Sequence, residues 1–183
     1  MIIVLTGLHG SGKSYFANNI CKKYGFEIIY KNDLIKKMCK KMNINSWHEW
    51  YIENFNKDFI TTTIKILQNL PKDKDIILDS VHSYNEWMVA KKYLKDVYLA
   101  LIIAPEDIRK TRYEKDDFLK DIKRINYYHN KENNNINCLY ACATWAFNGS
   151  SCDEVNEKSF LELLNYINNS KTKEKRLERK KRL

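Results

Sequence analysis

Short apolar runs alternate with longer segments of helical spacing along most of the chain. Each run has four to eight residues, a length typical of strands that are buried on both faces of a parallel sheet. The runs occupy Ile2–Thr6, 26–30, Ile76–Asp79, 97–104 and the end of 138–147. The helical segments occupy 12–23, 33–41, 47–70, 84–94, 105–128 and 155–168, and Pro71 ends the third of them. This alternation predicts an α/β fold in which helices cover both faces of a five-stranded parallel sheet.

Glycine and proline are scarce, with five and two residues among 183, so no flexible linker divides the chain. We expect one domain over residues 1–168 and a separate basic tail over 169–183. The segment 171–183 holds eight basic and two acidic residues, and therefore carries +6 of the net charge of +9. Such a block is typical of a solvated or frayed end, and it is also compatible with contact to nucleic acid or another polyanion.

The composition argues against several classes of protein. No apolar run approaches the roughly 20 residues that span a bilayer, and MIIVLT lacks the basic start of a signal peptide. We therefore expect a cytoplasmic protein with no membrane partner. The five cysteines are scattered without a CxxC pair, which indicates free thiols, and we expect no structural zinc site.

The strongest chemical signal is GLHGSGKS at residues 7–14, between the first predicted strand and the first predicted helix. It matches GxxxxGK[ST], a loop whose backbone N–H groups surround phosphate oxygens while the helix N-terminus faces the same anion. Lys13 would reach the β- and γ-phosphates, and the Ser14 hydroxyl would bind Mg²⁺. The predicted ligands are thus ATP and Mg²⁺, and no catalytic role is expected for His9. The residues expected to contact the nucleotide in and beside this loop are Gly7, His9, Gly10, Ser11, Gly12, Lys13, Ser14 and Tyr15.

Two carboxylates follow other predicted strands, at the sheet edge where open α/β proteins bind ligands. Asp33 comes after the second strand, where it could orient or deprotonate an acceptor hydroxyl, or cap a helix. Asp79 ends the third strand, where it could bind Mg²⁺, orient the acceptor, or serve only as a turn residue. Arg109, Arg112 and Arg124 follow the fourth strand and could stabilise a transferred phosphoryl group, or belong to a solvated helical face.

Taken in order, these segments resemble the P-loop nucleotide kinases, in particular dephospho-CoA kinases and adenylate-kinase-like proteins. The resemblance covers most of residues 1–168 and implies a three-layer P-loop NTPase fold. It implies that Asp33 in IIYKNDLIKK is the acceptor-side carboxylate, and that ILDSVHSYNE supplies Asp79 and Glu86. His82 stands where these kinases often have arginine.

The resemblance also implies a short lid over 105–128, with Arg109 and Arg112 as catalytic residues and Arg109 also touching the nucleotide. Lys115 stands where a further lid arginine is expected. Asn148 in AFNGSS would lie near the adenine. The segment 34–70 would be a helical acceptor-binding insertion. Its aromatic residues could stack on an acceptor or pack against the body, and they are Trp47, Trp50 and Tyr51, with His48 beside them.

The leading hypothesis is a kinase that transfers the γ-phosphate of ATP to a nucleoside monophosphate, a nucleoside or dephospho-CoA. Lys13, Asp33, Arg109 and Arg112 would be its catalytic residues, and Ser14 and Asp79 its metal ligands. One alternative is a P-loop kinase that acts on RNA or a polynucleotide end, which the basic tail suggests. The other is an ATP-binding switch without catalysis, which the departures at His82 and Lys115 suggest. The sequence names neither the acceptor nor the oligomeric state.

Overall fold

The computed structural model describes residues 1–112 and 136–181, with side chains of the last helix described as far as Lys173. The strands are β1 (Ile2–Thr6), β2 (Glu27–Tyr30), β3 (Ile76–Asp79), β4 (Val97–Ile103) and β5 (Trp145–Asn148). The helices are α1 (Lys13–Asn19), α2 (Lys31–Lys41), α3 (Trp47–Lys57), α4 (Phe59–Leu67), α5 (Tyr84–Tyr93), α6 (Glu106–Thr111), α7 (Ile136–Ala141) and α8 (Asp153–Lys181), and a 3₁₀ turn spans Cys21–Tyr24.

The five strands form one parallel sheet in the order β2-β3-β1-β4-β5. The parallel pairing of all five strands confirms the predicted sheet, whose strand order was not predicted. The first strand is central, so the loop that follows it lies between the loops that follow β3 and β4. The carboxyl ends of all five strands meet at one edge, as parallel pairing requires.

Alternate residues of the central strand enter two separate hydrophobic clusters, one on each face of the sheet. Val4 packs with residues of α2, α4, α5 and α7, while Ile3 and Leu5 pack with α1 and α8. Phe160 of α8 is fully buried in the second cluster and contacts Phe16 of α1 edge to face at 5.9 Å. The three-layer α/β arrangement expected from the sequence is therefore confirmed.

The long helical region expected over 47–70 consists of two helices, α3 and α4. The break falls at Asp58, whose side chain accepts a hydrogen bond of 3.0 Å from the Thr61 N–H and so caps α4. Hydrogen bonds from the Thr61 side chain and from the Thr61 N–H lower the pKa of Asp58 below its ordinary value. The apolar spacing continues across the break, so periodicity alone could not show where the first helix ends.

The last helix also differs from the prediction, because it continues from Asp153 through the basic segment to Lys181. Where the basic segment begins, the Lys171 ammonium lies 2.6 Å from an Asp96 carboxylate oxygen, just before β4. The start of the basic segment is thus held against the domain. The boundary between domain and tail at residue 169 stays a prediction. None of the helices within 1–112 and 136–181 is long and apolar enough to cross a membrane.

Candidate active site

The phosphate-binding loop leaves the end of β1 with three of its glycines at positive φ. The φ angles are 142° at Gly7, 72° at Gly10 and 98° at Gly12, in the region that side chains disfavour. Close packing adds to this requirement at Gly7, where a Cβ would collide with the backbone oxygen of Ile102 in β4. A Cβ on Gly149, after β5, would collide with the Ser11 oxygen. The loop is therefore fixed by two neighbouring strands as well as by its own sequence.

Lys13 begins α1 and bends back over the loop. Its ammonium donates hydrogen bonds of 3.0 Å to the Gly7 oxygen and 2.9 Å to the Leu8 oxygen. The Ser11 hydroxyl is buried in the same loop, with no hydrogen-bond partner among the described residues. A fixed cation, a helix N-terminus and a buried hydroxyl are all suited to phosphate oxygens, so the loop fits the polyphosphate of ATP.

The two predicted metal ligands lie together. The Ser14 hydroxyl donates a hydrogen bond of 2.7 Å to Oδ2 of Asp79, which is 8% exposed. A hydroxyl and a carboxylate beside a phosphate-binding loop fit Mg²⁺, which takes one or two protein oxygens and completes its shell with phosphate and water. Ser14 and Asp79 are therefore the residues that would hold the ion.

Asp79 is held in place by the segment that follows it. The Val81 N–H donates to the Leu5 oxygen at 3.2 Å, and the Thr6 hydroxyl donates to the Val81 oxygen at 2.9 Å. These bonds continue the pairing of β1 and β3 one step past the strand end. They fix the carboxylate relative to the loop that begins at Gly7.

Both arginines that begin the predicted lid contact the phosphate-binding loop from the β4 side. Arg109 is 5% exposed and donates to the His9 oxygen at 3.3 Å. Arg112 donates from Nη1 to the Gly10 oxygen and from Nη2 to the Gly149 oxygen, both at 2.8 Å. These contacts argue against a purely solvated face for Arg109 and Arg112. Most of the predicted lid, with Lys115 and Arg124, lies outside the described residues.

A cavity of about 680 Å³ opens beside Gly12, on the side of the loop that faces β5 and α8. This volume is in the range of small-molecule sites. Its lining residues come from the phosphate-binding loop, α1, the end of α6, the segment after β5 and the start of α8, and they are Gly12, Tyr15, Phe16, Ile20, Arg112, Gly149, Ser151, Cys152, Asp153, Glu154 and Asn156. The side chain of Asn148 instead accepts a hydrogen bond of 2.9 Å from the Ser150 N–H and shapes this segment, so its contact with adenine stays a prediction.

Asp33 lies on the opposite side of the loop, in the first turn of α2. The helix begins at Lys31 and not at Asp33 as expected, and the residue at its N-cap is Tyr30. The alternative that Asp33 caps the helix is therefore wrong. Its carboxylate is 65% exposed and lies 3.2 Å from the Lys36 ammonium. The acceptor role of Asp33 stays a prediction.

A buried ion pair joins the ends of β2 and β3 on the same side. The Lys31 ammonium lies 2.8 and 3.1 Å from the two carboxylate oxygens of Glu86, with side-chain exposures of 7% and 4%. The Tyr51 hydroxyl of α3 lies 3.5 Å from the same ammonium. Glu86 also accepts from the His82 N–H at 3.4 Å, and the His82 ring contacts the Ser80 hydroxyl at 2.8 Å. The pair thus joins α2, α3 and the segment after Asp79.

The aromatic residues of the helical insertion pack mainly against the body. Trp47, Trp50 and Tyr51 all contact the hydrophobic cluster beneath α2 and α4. The Lys36 ammonium lies 5.5 Å from the Trp47 ring centroid. These contacts favour the packing alternative for Trp50 and Tyr51, while stacking on an acceptor stays a prediction.

Comparison with known proteins assigns the chain to a family. A family model described as an AAA domain matches residues 3–137, well over half of the chain. The chain belongs to this family. The AAA-domain assignment, together with the phosphate-binding loop and the sheet, shows a P-loop nucleotide-kinase-like protein, as the resemblance in the sequence implied.

One curated relative and several solved structures are similar to this AAA-domain protein. A protein of Sulfurisphaera tokodaii named "Putative adenylate kinase" is 26% identical over 82 residues, which are 45% of this chain and 41% of that protein. The match therefore spans less than half of the relative's length. TT1252 from Thermus thermophilus has a TM-score of 0.59 at 14% identity, with 91% of this chain and 96% of that one covered. Shikimate kinase from Aquifex aeolicus has a TM-score of 0.53 at 17% identity, with 91% and 98% covered. Identities this low show the shared fold alone.

Two features beside the candidate site of this AAA-domain protein were not predicted from the sequence. Lys31 was not singled out, and no role was assigned to Asp153 or Glu154 in the wall of the cavity. The sequence carried a signal for Glu86, because Ser83 and Glu86 have the spacing of a capping box. In the structure the Ser83 hydroxyl accepts a hydrogen bond of 3.1 Å from the Glu86 N–H. Acidic residues at the start of α8 were visible too, but they are common at any helix N-terminus.

Proposed function

We propose that this chain is an ATP-dependent kinase that transfers the γ-phosphoryl group to a small nucleotide-like acceptor. The nucleoside monophosphates, nucleosides and dephospho-CoA are the acceptor classes that the family resemblance favours. The observation that carries the proposal is the 2.7 Å hydrogen bond between the Ser14 hydroxyl and Asp79, directly beside Lys13 on the phosphate-binding loop. A metal-binding pair and a fixed cation at one loop are the parts that phosphoryl transfer requires.

The sheet order supports separate sides of the loop for the two substrates. Arg109, Arg112 and the 680 Å³ cavity lie toward β4 and β5, so ATP would bind there with its phosphates on the loop. Asp33 and His82 lie toward β2 and β3, so the acceptor would enter there. Substrates that meet from opposite sides allow in-line displacement at the γ-phosphorus.

The residues of this chain would divide the chemistry by position. In the transfer, the bond from the γ-phosphorus to the β-phosphate oxygen breaks while a bond to the acceptor oxygen forms. Lys13 would neutralise the migrating group, and Arg112 would hold the loop and contact the phosphates. Asp33 would orient the acceptor oxygen and take its proton when that oxygen is a hydroxyl. Mg²⁺ bound by Ser14 and Asp79 would neutralise charge on the β- and γ-phosphates.

The test is an acceptor panel assayed with ATP and Mg²⁺ by ADP release and by mass of the product. The panel holds AMP, CMP, UMP, nucleosides, dephospho-CoA, shikimate and a 5′-hydroxyl oligonucleotide. We expect phosphorylation of at least one small acceptor, and a loss of kcat/KM of about a hundredfold or more in Lys13→Ala. Lys22→Ala is the matched control, because Lys22 is exposed in the 3₁₀ turn after α1.

Three outcomes would contradict the proposal. Tight ATP binding without transfer to any member of the panel would favour the non-catalytic switch. Transfer to the oligonucleotide alone would favour a polynucleotide kinase. Equal activity of Lys13→Ala and the native protein would remove the phosphate-binding loop from the reaction.

A further inference from the structure

The far wall of the 680 Å³ cavity carries acidic groups that phosphate binding does not explain. Tyr15 follows Ser14 directly, is 60% exposed, and donates a hydrogen bond of 3.1 Å from its hydroxyl to Oδ2 of Asp153. Asp153 is the first residue of α8, and Glu154 lies next to it in the same wall. This pairing links the first turn of α1 to the first turn of α8, and both residues line the cavity.

Groups of both charges line the cavity. Arg112 is the only cation among the described residues that line it, and Lys13 lies on the adjoining loop. Asp153 and Glu154 are its acidic lining residues. Negative groups there would repel phosphate and attract a neutral group that donates hydrogen bonds. This distribution of charge therefore fits a ligand with a polyanionic end and a hydroxyl-bearing end.

The position of Tyr15 indicates which part of a nucleotide meets this wall. The residues before it, Lys13 and Ser14, belong to the phosphate site, so the next group along the ligand from the α-phosphate lies nearest to Tyr15. In a nucleoside triphosphate that group is the ribose. The apolar part of the lining, which includes Phe16 and Ile20, would face the base.

On the basis of the proposed function, we propose that Asp153, held by Tyr15, accepts a hydrogen bond from a ribose hydroxyl of the bound nucleoside triphosphate. The site would thereby prefer ribonucleotides to deoxyribonucleotides. Tyr15 engages only Oδ2, so Oδ1 and the second lone pair of Oδ2 can accept from the sugar. The hydrogen bond to Asp153 also raises the pKa of Tyr15, so the phenol remains protonated and continues to donate at neutral pH.

The test is equilibrium binding by calorimetry, without an acceptor, to ATP, 2′-deoxy-ATP and 3′-deoxy-ATP. A hydrogen bond to a charged acceptor contributes enough that the loss of one sugar hydroxyl should raise Kd about tenfold or more. Asp153→Ala should weaken ATP binding to the level of the deoxynucleotide and remove the discrimination. Tyr15→Phe keeps the ring but releases Asp153, and should reduce the discrimination in part.

Glu162→Ala is the matched control, because it removes the same charge from an exposed residue of α8 that is not among the residues lining the cavity. It should leave the ratio of the Kd values for deoxy-ATP and ATP unchanged. Equal binding of ATP and both deoxynucleotides by the native protein would overturn the inference. The inference would also fail if replacing ATP by ITP raised Kd tenfold while neither deoxy substitution changed it. The wall would then recognise the base amine.

Binding of inorganic tripolyphosphate distinguishes a failure of the ribose contact from a failure of the proposed function. If neither tripolyphosphate nor ATP binds, the kinase proposal fails and the ribose contact fails with it. If both bind while the sugar hydroxyls have no effect, only the ribose contact fails. Cys152 offers a second readout, because it is exposed in the cavity lining, and ATP should protect it from alkylation more than tripolyphosphate does.

Discussion

Replacing Glu86 by alanine should destabilise the protein strongly, because the change leaves the Lys31 ammonium buried without its carboxylate. The two charged groups lie 2.8 and 3.1 Å apart, and their side chains are only 7% and 4% exposed. At an effective dielectric constant of about 20, two unit charges at that shorter distance attract by about 6 kcal/mol. Desolvation opposes much of this attraction, so the pair itself contributes little net stability.

The single variant should therefore lose much more stability than the double variant. Removing one partner of a buried pair costs about 3–5 kcal/mol, which is a large fraction of the roughly 5–15 kcal/mol that stabilises a typical domain. Replacing both partners, in Lys31→Met/Glu86→Leu, should cost no more than about 1 kcal/mol, because no uncompensated charge remains. The coupling between the two sites should be several kcal/mol.

The assay is urea unfolding followed by tryptophan fluorescence, with Trp87 buried beside Glu86 in α5 as a reporter. Midpoints are compared at equal m-values. Glu106→Ala is the control, because Glu106 forms an ion pair of 2.7 Å with Lys110 on the surface and should not shift the midpoint measurably. A loss below about 1 kcal/mol in Glu86→Ala, or a double variant as unstable as the single one, would refute the reasoning.

Three further results are expected. Gly7→Ala should abolish ATP binding and lower stability, since its Cβ would collide with the Ile102 oxygen at a φ of 142°, and calorimetry with thermal melting measures both. Burial raises the pKa of Asp96, but hydrogen bonds from Lys171 and Tyr98 outweigh burial and leave that pKa below its ordinary value. Asp96→Asn should therefore cost at most about 1 kcal/mol above the unfolded pKa near 3.9, and the difference should disappear as the pH falls through the lower folded pKa. Burial raises the pKa of the Cys21 thiol, so Cys21 should resist iodoacetamide at pH 8 until the protein unfolds, as mass spectrometry would show.

The parts of the fold that the sequence predicted were those with local signals. Ile2–Thr6 and Val97–Ile103 are continuous apolar runs, and GLHGSGKS specifies its own turn, so their positions follow from short segments. Asp79 could be placed beside Ser14 because parallel strands end at one edge. The break at Asp58 and the continuous helix to Lys181 were missed, since apolar spacing crosses the break and a charge run does not show whether a helix continues through it.

The contacts that complete the candidate site could not be predicted, because their partners are far apart in sequence. Lys31 and Glu86 are 55 residues apart, and Arg112 and Gly149 are 37 apart. No periodicity relates such positions. The wall formed by Tyr15 and Asp153 joins residues 138 apart for the same reason. Only the packed sheet brings these groups together.

The central position of β1 has a consequence for synthesis on the ribosome. Its two hydrogen-bonding neighbours are β3 and β4, so β1 is made long before either partner. At about 5–20 residues per second, roughly 5–20 seconds separate the translation of β1 from that of β4. Until β3 is made, both edges of this strongly apolar strand lack their final partners, and the edge that pairs with β4 lacks its partner for the whole interval. Such unpaired edges leave the nascent chain prone to aggregation. Gly149, which packs against Ser11 of the phosphate-binding loop, is translated later still, so the packing around this loop is complete only when the whole sheet has been made.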